Sequence, residues 1–313
     1  MDLTLTEAVG RFLDHRRRKR RAPATLDLYA RQIETWVRWR ETHGGDVRLQ
    51  AVTLDELRGF FASLDDARMA PATILGHFRT LRALWNFLRY EEDAAGECVL
   101  SATQLRFFLN GRIPLPRNPV REQPALPQHD YELLIAEAMS NPDAEEAARD
   151  EALLRLLWES GMRVHELASL THEQVNLRYR RATIVGKMDK QATVFWRPQA
   201  AAALLRYLAV RRGRAQRGAL LRGVSSRNDG GPVTTNLIRA LIKRLADRAG
   251  VTLPKGSPCH SFRRAFARRA RAAGASLAEV GELLRDETPA VIRGYVGLDA
   301  EPKQQLYNRL FGM

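Results

Sequence analysis

Apolar residues recur every three or four positions through the first 90 residues, which is the pattern of amphipathic helices. The first run has apolar side chains at Leu5, Ala8, Val9, Phe12 and Leu13. A second run spans residues 26–37, a third begins at a capping box of Thr53 and Glu56, and a fourth follows Pro71. The pattern predicts a small all-helical bundle over residues 1–93.

Residues 94–126 break this pattern with scattered glycine and proline, which is typical of a connection between domains. The middle of the segment, LRFFLNG, is too apolar for a free linker. We therefore expect it to dock on one of the two domains.

Residues 127–313 are predicted to form a second domain that is mostly helical. Gly161 follows an apolar helical run as a natural stop, and Ser276 with Glu279 forms another capping box. The short β-prone runs RATIV and ATVFW flank GKMDKQ and predict a hairpin. The fold class is therefore mainly α, with a four-helix first domain and a mixed second domain that carries one small sheet.

The charge balance indicates a polyanionic partner. Fifty Lys and Arg against 36 Asp and Glu give a formal net charge of +14, and most of the cations are arginine, whose forked guanidinium fits phosphate. An arginine-rich proteome is the alternative, so clustering has to decide. The cations do cluster, at residues 15–21, 211–227 and 263–271. A solvated helix face is the usual interpretation of such runs, but their density without acids favours neutralisation by phosphates.

The two cysteines, Cys98 and Cys259, lie far apart without a CxxC pair or a histidine set at ligand spacing. They predict reduced thiols and no zinc site or disulfide framework. The sequence has no signal-peptide pattern and no apolar run of about 18 residues. We expect a soluble cytoplasmic protein.

An ordered set of polar residues precedes Tyr295 in the last third of the chain. The set comprises Arg163, Lys187, His260, Arg263 and Asp286, in the segments GMRVHELASL, IVGKMDKQATVFW, HSFRRAF and LLRDETPAVIRGY. One such segment is weak evidence, because HxxR alone is common. In this order and at these intervals, the four segments resemble the signature boxes of the tyrosine recombinase, or phage-integrase, family. The resemblance covers the whole chain, since the helical bundle resembles the family's SAM-like core-binding domain.

The resemblance implies DNA strand exchange through a covalent 3′-phosphotyrosine on Tyr295, without metal, ATP or another cofactor. A tyrosine with a pKa near 10 is a poor nucleophile at neutral pH and needs a base, for which His260 is the candidate. Arg163 and Arg263 match the pair of guanidiniums that meets the developing phosphate charge. Lys187, on the predicted hairpin, matches the general acid for the leaving 5′ oxygen.

Two supporting residues and one departure belong to the same set. Glu166, one helical turn after Arg163, is expected to support it by a salt bridge. Arg264 stands where the family commonly has histidine. Asp286 stands where it usually has histidine or tryptophan, and an anion there should oppose the transition state unless Arg285 or Arg264 pairs with it.

The resemblance also implies the partners. Both domains are expected to clasp double-stranded DNA at recombination sites, with four protomers on two sites. The predicted DNA-binding residues of the first domain are Arg16, Arg17, Arg18, Lys19, Arg20 and Arg21. The chain opens directly on the bundle, which favours a simple, Xer-like type. The tail after Tyr295 has Leu306, Leu310 and Phe311 on one face and is expected to pack either into a neighbouring protomer or on its own domain.

Two other functional classes remain open at this point. A non-catalytic DNA-binding relative would explain Asp286 as decay of the site, although the other five residues are intact. A metal-dependent nuclease would need a carboxylate cluster suited to two cations, which the sequence lacks.

Overall fold

The computed structural model describes residues 3–20, 23–109, 111–117, 123–185, 191–211, 217–224, 230–286 and 289–296. Arg21, residues 186–190 of the predicted hairpin, which include Lys187, and the tail at 297–313 lie outside these ranges. The chain divides into two compact units, residues 1–119 and 120–313. Each unit has its own hydrophobic core.

The described part of the first unit contains four α-helices, and their bounds are α1 Leu5–Arg18, α2 Pro23–Thr42, α3 Leu54–Asp66 and α4 Pro71–Leu88. Capping boxes start α1 at Thr4 and α3 at Thr53, because each threonine hydroxyl accepts a backbone N–H that the helix leaves free. The core is aromatic, with Phe12, Trp36 and Phe60 almost completely buried. The predicted helical bundle is therefore confirmed.

The segment predicted as the connection, residues 94–126, is divided between the two units. Val99, Leu100, Phe107, Phe108 and Ile113 are buried in the first core. Leu126 belongs to the second core, where its backbone N–H donates to the carbonyl oxygen of Ser261 at 3.2 Å. The first part of the segment is thus a docked extension of the helical unit, because its apolar side chains complete that core.

Eight helices and three strands form the described part of the second unit. The helices are α5 Gln128–Met139, α6 Ala144–Ser160, α7 Val164–Ala168, α8 Pro198–Val210, α9 Thr235–Ala249, α10 Pro258–Ala272, α11 Leu277–Leu284 and α12 Pro289–Val296. The strands are β1 Val175–Asn176, β2 Arg181–Val185 and β3 Gln191–Phe195. They form one antiparallel sheet in the order β1-β2-β3, with Ala182 opposite Val194. The predicted fold class, mainly α with one small sheet, is confirmed.

Helix α10 organises the part of the second unit that matters for function. Its Phe262 and Ala265 enter the large core, while Ala267 belongs to a smaller apolar cluster. That smaller cluster also contains Val280, Leu284 and Ile292, with Tyr295 packed against it. Helices α11 and α12 are thereby held against α10. No helix in the described part of the chain has the length and apolar character needed to cross a membrane.

Candidate active site

The turn after α6 brings Arg163 to the site. Gly161 ends α6 with φ 59°, a left-handed conformation that glycine adopts without steric cost. A Cβ at this position would lie 2.7 Å from the ring of Phe266, so the turn is also tightly packed. Arg163 then forms the N-cap of α7. The predicted helix stop at Gly161 is confirmed.

Glu166 holds Arg163 at two points. Its Oε2 accepts the backbone N–H of Arg163 at 2.8 Å, and its Oε1 accepts Nη1 of the same residue at 3.0 Å. A third donor, Nη2 of Arg285, reaches Oε2 at 2.8 Å. Burial alone would raise the pKa of Glu166, but the charge of Arg285 and the contacts of Arg163 outweigh it and lower that pKa. Glu166 is therefore a buried anion, and the expected ion pair with Arg163 is present.

Arg163 and Arg263 converge on one oxygen atom. Oδ2 of Asp286 lies 3.2 Å from Nη2 of Arg163 and 3.7 Å from Nη2 of Arg263. The expectation that Asp286 pairs with Arg285 or Arg264 is wrong in both parts. Arg285 is turned to Glu166, and Arg264 bonds elsewhere.

The backbone at Arg285 explains this pairing. Arg285 ends α11 in a left-handed conformation with φ 56°, and the backbone N–H of Asp286 donates to the carbonyl oxygen of Gly281 at 2.9 Å. Because of this turn, the side chain of Arg285 reaches Glu166, while that of Asp286 reaches Arg163. From the sequence, Arg285 is expected only as a partner for Asp286. The sequence carries no signal for this left-handed turn, because glycine, the usual residue at such a helix end, is replaced here by arginine.

Arg263 is a deeply buried charge of the site, with 1% of its side chain exposed. Nη1 donates to the carbonyl oxygen of Gly161 at 2.6 Å, and Nη2 donates to that of Leu284. Its Nε has no hydrogen-bond partner among the described residues. Burial, followed by repulsion from Arg163, lowers the pKa of Arg263 to about 10. Arg263 therefore remains a cation at neutral pH. Its repulsion from the guanidinium of Arg163 favours the binding of an added anion.

Tyr295 lies beside this pair. The guanidinium carbon of Arg263 is 5.5 Å from the centre of the tyrosine ring, which is within the range of a cation–π contact. Helix α12 carries the tyrosine and approaches α11 closely at Gly281. A Cβ there would lie 2.7 Å from Cδ1 of Ile292 and 3.1 Å from the carbonyl oxygen of Asp286. The small residue thus allows α12 to bring Tyr295 to the arginines.

His260 stands one helical turn before Arg263, in the first turn of α10. The residue is exposed, yet partial desolvation of its ring, followed by the charges of Arg263, Arg264 and Arg163, lowers its pKa. A neutral imidazole at neutral pH can accept a proton. His260 also lines an open cleft of about 600 Å³ with Asn236, Arg239 and Lys243 of α9.

Several predicted cations contact protein instead of facing solvent. Arg264 is buried, with Nε donating to the carbonyl oxygen of Pro124 at 2.8 Å and Nη1 to Oε1 of Gln123 at 2.9 Å. Arg269 lies over the ring of Trp158 at 4.0 Å. The cluster at 263–271, predicted as a DNA surface, is therefore largely directed into the second unit. Its cations donate to carbonyl oxygens and contact an aromatic ring, which an amphipathic pattern does not reveal.

The basic run at residues 15–21 of the first unit contains both cations that contact protein and cations that face solvent. Arg16 is half-buried, with its guanidinium 5.0 Å from the ring centre of Phe12, and Arg17 pairs with Asp14. Arg18, Lys19 and Arg20 are exposed. Arg21, like Lys187 of the second unit, lies outside the described residues. The described chain has no group of three or more His, Cys, Asp or Glu placed to hold a metal ion.

The structure thus brings together Arg163, Glu166, Arg263, Asp286 and Tyr295, with His260 on the same helix as Arg263. Two guanidiniums directed at one acceptor oxygen form an anion-binding pair, and a tyrosine hydroxyl beside it is a potential nucleophile.

Comparison with known proteins identifies the family of the chain. Residues 124–301 match the phage integrase family. The tyrosine recombinase XerD of Ralstonia nicotianae is 32% identical over 285 residues, covering 89% of this chain and 85% of that protein. The tyrosine recombinase XerC of Treponema denticola is 28% identical over 295 residues, covering 91% of each.

Solved structures share the fold. The integrase of transposon Tn1549, in complex with transposon right end DNA, superposes with a TM-score of 0.75 at 15% identity and covers 98% of this chain and 99% of that one. The XerH recombinase bound to a palindromic difH substrate gives 0.71 at 18% identity, with 91% and 79% covered. The chain therefore belongs to the phage integrase family and is an enzyme of the tyrosine recombinase class.

Proposed function

We propose that this protein is a site-specific recombinase that cuts and rejoins duplex DNA through a 3′-phosphotyrosine at Tyr295. The observation that carries the proposal is the convergence of Arg163 and Arg263 on one oxygen beside the ring of Tyr295. The related proteins named XerC and XerD, and the DNA present in the XerH and Tn1549 integrase structures, support duplex DNA as the substrate.

The cleavage step follows from the chemistry of these groups. The Tyr295 oxygen attacks phosphorus and loses its proton toward His260, whose lowered pKa keeps the imidazole neutral and able to accept it. A bond forms between phosphorus and the tyrosine oxygen, and the bond from phosphorus to the 5′ oxygen breaks. Lys187 gives a proton to that departing oxygen.

The arginine pair accounts for stabilisation of the transition state. Charge develops on the non-bridging oxygens during attack, and preorganised cations with little access to water stabilise it strongly. Glu166, by holding both the backbone and the guanidinium of Arg163, positions one of these cations. Resealing onto a new 5′ hydroxyl reverses the step, so the phosphodiester energy is kept without ATP or metal.

Contact with DNA is expected from two separate surfaces. In the second unit, Asn236, Arg239 and Lys243 lie on one face of α9 and line the cleft that His260 also borders. In the first unit, Arg18, Lys19 and Arg20 are exposed. Both surfaces can neutralise phosphates, which dominate the affinity of such proteins. A cytoplasmic, nucleoid-associated enzyme acting as a tetramer on two sites is part of this proposal.

A second candidate function is a DNA-binding relative without catalysis. The specific observation in its favour is that Asp286 already occupies the arginine pair. An anion in this position opposes entry of a phosphate.

A two-site plasmid assay tests the proposal against this alternative. The target site is first selected from a random duplex library by binding to the protein, and two copies are placed on one plasmid. Wild type should give recombinant circles, and Tyr295→Phe should bind the site equally well but give none. Tyr179→Phe, which changes an exposed tyrosine of the same unit, is the matched control and should recombine normally. Tight binding without recombinants in wild type would favour the non-catalytic alternative.

A further inference from the structure

The arginine pair is occupied by a side chain of the same protein. Oδ2 of Asp286 accepts a hydrogen bond from Nη2 of Arg163 at 3.2 Å and lies 3.7 Å from Nη2 of Arg263. A carboxylate oxygen and a non-bridging phosphate oxygen are both anionic acceptors that guanidinium binds well. Asp286 therefore stands where an oxygen of a bound phosphate would be stabilised.

The terminal nitrogens of the pair have protein acceptors. Arg163 gives Nη1 to Glu166 and shares Nη2 between Asp286 and the carbonyl oxygen of Arg285. Arg263 gives its terminal nitrogens to the carbonyl oxygens of Gly161 and Leu284. Among these acceptors only Glu166 and Asp286 are anionic, and Glu166 is held by three hydrogen bonds. Asp286 is the anion that an entering phosphate can replace.

Exposure distinguishes the two carboxylates further. The side chain of Glu166 is 1% exposed, whereas that of Asp286 is 15% exposed. The backbone of Asp286 is held by its N–H bond to Gly281, so rotation of the side chain alone can release the arginines. The buried Nε of Arg263, which has no partner in the described chain, is a donor that a tetrahedral anion with several oxygens can additionally use.

We propose that Asp286 is an internal competitor of the scissile phosphate: it fills the arginine pair in the free protein and is displaced when duplex DNA is engaged. The inference rests on the proposed function and adds that the site prefers the phosphate of duplex DNA to a free phosphate ion. A phosphate diester held by many duplex contacts displaces the carboxylate, while a free phosphate ion lacks those contacts. The cost of displacement is included in the barrier to cleavage.

The first arm of the test uses DNA-free full-length protein and inorganic phosphate. Thermal unfolding is followed against phosphate concentration for wild type, Asp286→Asn and Glu282→Gln. Glu282 is an exposed acid of α11, so Glu282→Gln makes the same change in net charge outside the site. Asp286→Asn should unfold at lower temperature without phosphate and respond at phosphate concentrations at least about tenfold lower than the other two proteins. Identical responses in all three would overturn the proposal.

The second arm measures single-turnover formation of the covalent adduct on a nicked duplex of the selected site. Asp286→Asn should form it about tenfold faster than wild type, and Glu282→Gln at the wild-type rate. A fall of similar size in Asp286→Asn would instead make Asp286 a residue that positions the arginines, and would overturn the proposal. Should Asp286→Asn not fold, Asp286→His undergoes both arms, since it also removes the anion.

The two arms separate this inference from the proposed function. A phosphate response specific to Asp286→Asn, with no adduct in any of the proteins, would keep the internal competitor and exclude the recombinase. Adduct formation by wild type, with no phosphate response and a slower Asp286→Asn, would keep the recombinase and exclude the competitor.

Discussion

The carbonyl oxygen of Gly161 accepts a hydrogen bond of 2.6 Å from Nη1 of Arg263, 102 residues further along the chain. Gly161 also ends α6 and leads directly into the turn that delivers Arg163. One left-handed residue therefore positions both arginines of the pair.

We predict that Gly161→Ala lowers both stability and cleavage. An alanine at φ 59° is strained, and its Cβ would lie 2.7 Å from the ring of Phe266. Strain and overpacking together should reduce the free energy of unfolding by at least about 2 kcal/mol. Adduct formation should fall as well, because the carbonyl oxygen that holds Arg263 must move. Urea unfolding and single-turnover cleavage measure the two effects.

Gly250→Ala is the matched control for this prediction. Gly250 ends α9 with φ 66°, and nothing lies within 4 Å of an added Cβ. This variant should lose only about 1 kcal/mol from backbone strain and should cleave normally. Equal losses of cleavage in both variants would mean that Gly161 has no special relation to the arginines.

Cleavage should depend on pH through His260. Its pKa is lowered, so the neutral base persists to a lower pH than in an ordinary histidine. The rate should be level at neutral pH and decline only below about 6.5, as the imidazole gains a proton. The fold loses stability over the same range, because a group with a lowered pKa opposes protonation in the native state.

His260→Asn should lower the rate about a hundredfold or more and remove the decline at low pH. His165→Asn, which changes an exposed histidine on the neighbouring α7, should keep both the rate and its pH profile. A profile unchanged in His260→Asn would assign the proton transfer to another group. The assay is single-turnover adduct formation between pH 5 and pH 8 at constant ionic strength.

The salt dependence of DNA binding should distinguish the exposed cations of the first unit from those that are paired with acids. Changing Arg18, Lys19 and Arg20 together to Gln should weaken binding to all DNA sequences alike. The slope of log affinity against log salt should flatten by up to about 0.9 for each lost phosphate contact. Fluorescence anisotropy with specific and random duplexes, over a range from low to high salt, measures this slope.

The matched triple variant changes three exposed arginines that already pair with acids, namely Arg38→Gln, Arg48→Gln and Arg58→Gln. Its salt slope should remain near that of wild type. If the first triple variant loses sequence discrimination while its slope stays constant, those three residues read bases instead of contacting phosphates.

Sequence reasoning succeeded where the chemistry is local. The capping boxes at Thr53 and Ser276 and the helix stop at Gly161 are set by residues within one turn of each other, and the structure contains all three. The helical bundle followed from apolar spacing for the same reason. The order and spacing of the four boxes indicated the family before any contact was known.

Sequence reasoning failed where several like charges compete for few partners. Arg163, Arg263 and Arg285 share the carboxylates of Glu166 and Asp286, and the left-handed backbone at Arg285 decides which carboxylate each one reaches. Arg264 was assigned to the site, yet it holds the chain near Pro124. Such pairings depend on tertiary geometry, since any of these arginines could satisfy either acid.

Chelation should leave cleavage intact. The proposed step uses a tyrosine nucleophile and arginines to balance the charge, so no divalent ion enters it. Adduct formation in excess EDTA should equal that in magnesium, apart from the change in ionic strength. Cleavage that is lost in EDTA and restored by magnesium would indicate a metal-dependent nuclease and would contradict the mechanism.

The covalent bond to Tyr295 is the central claim, and one measurement tests it most directly. The protein is incubated with a duplex nicked next to the cleavage position, so that the short product diffuses away and the intermediate accumulates. The denatured adduct is then digested, and its nucleotide-linked peptide is identified by mass spectrometry. We predict a phosphodiester on Tyr295 in wild type and no adduct in Tyr295→Phe. An adduct that persists in that variant, or that maps to Tyr307, would contradict the account.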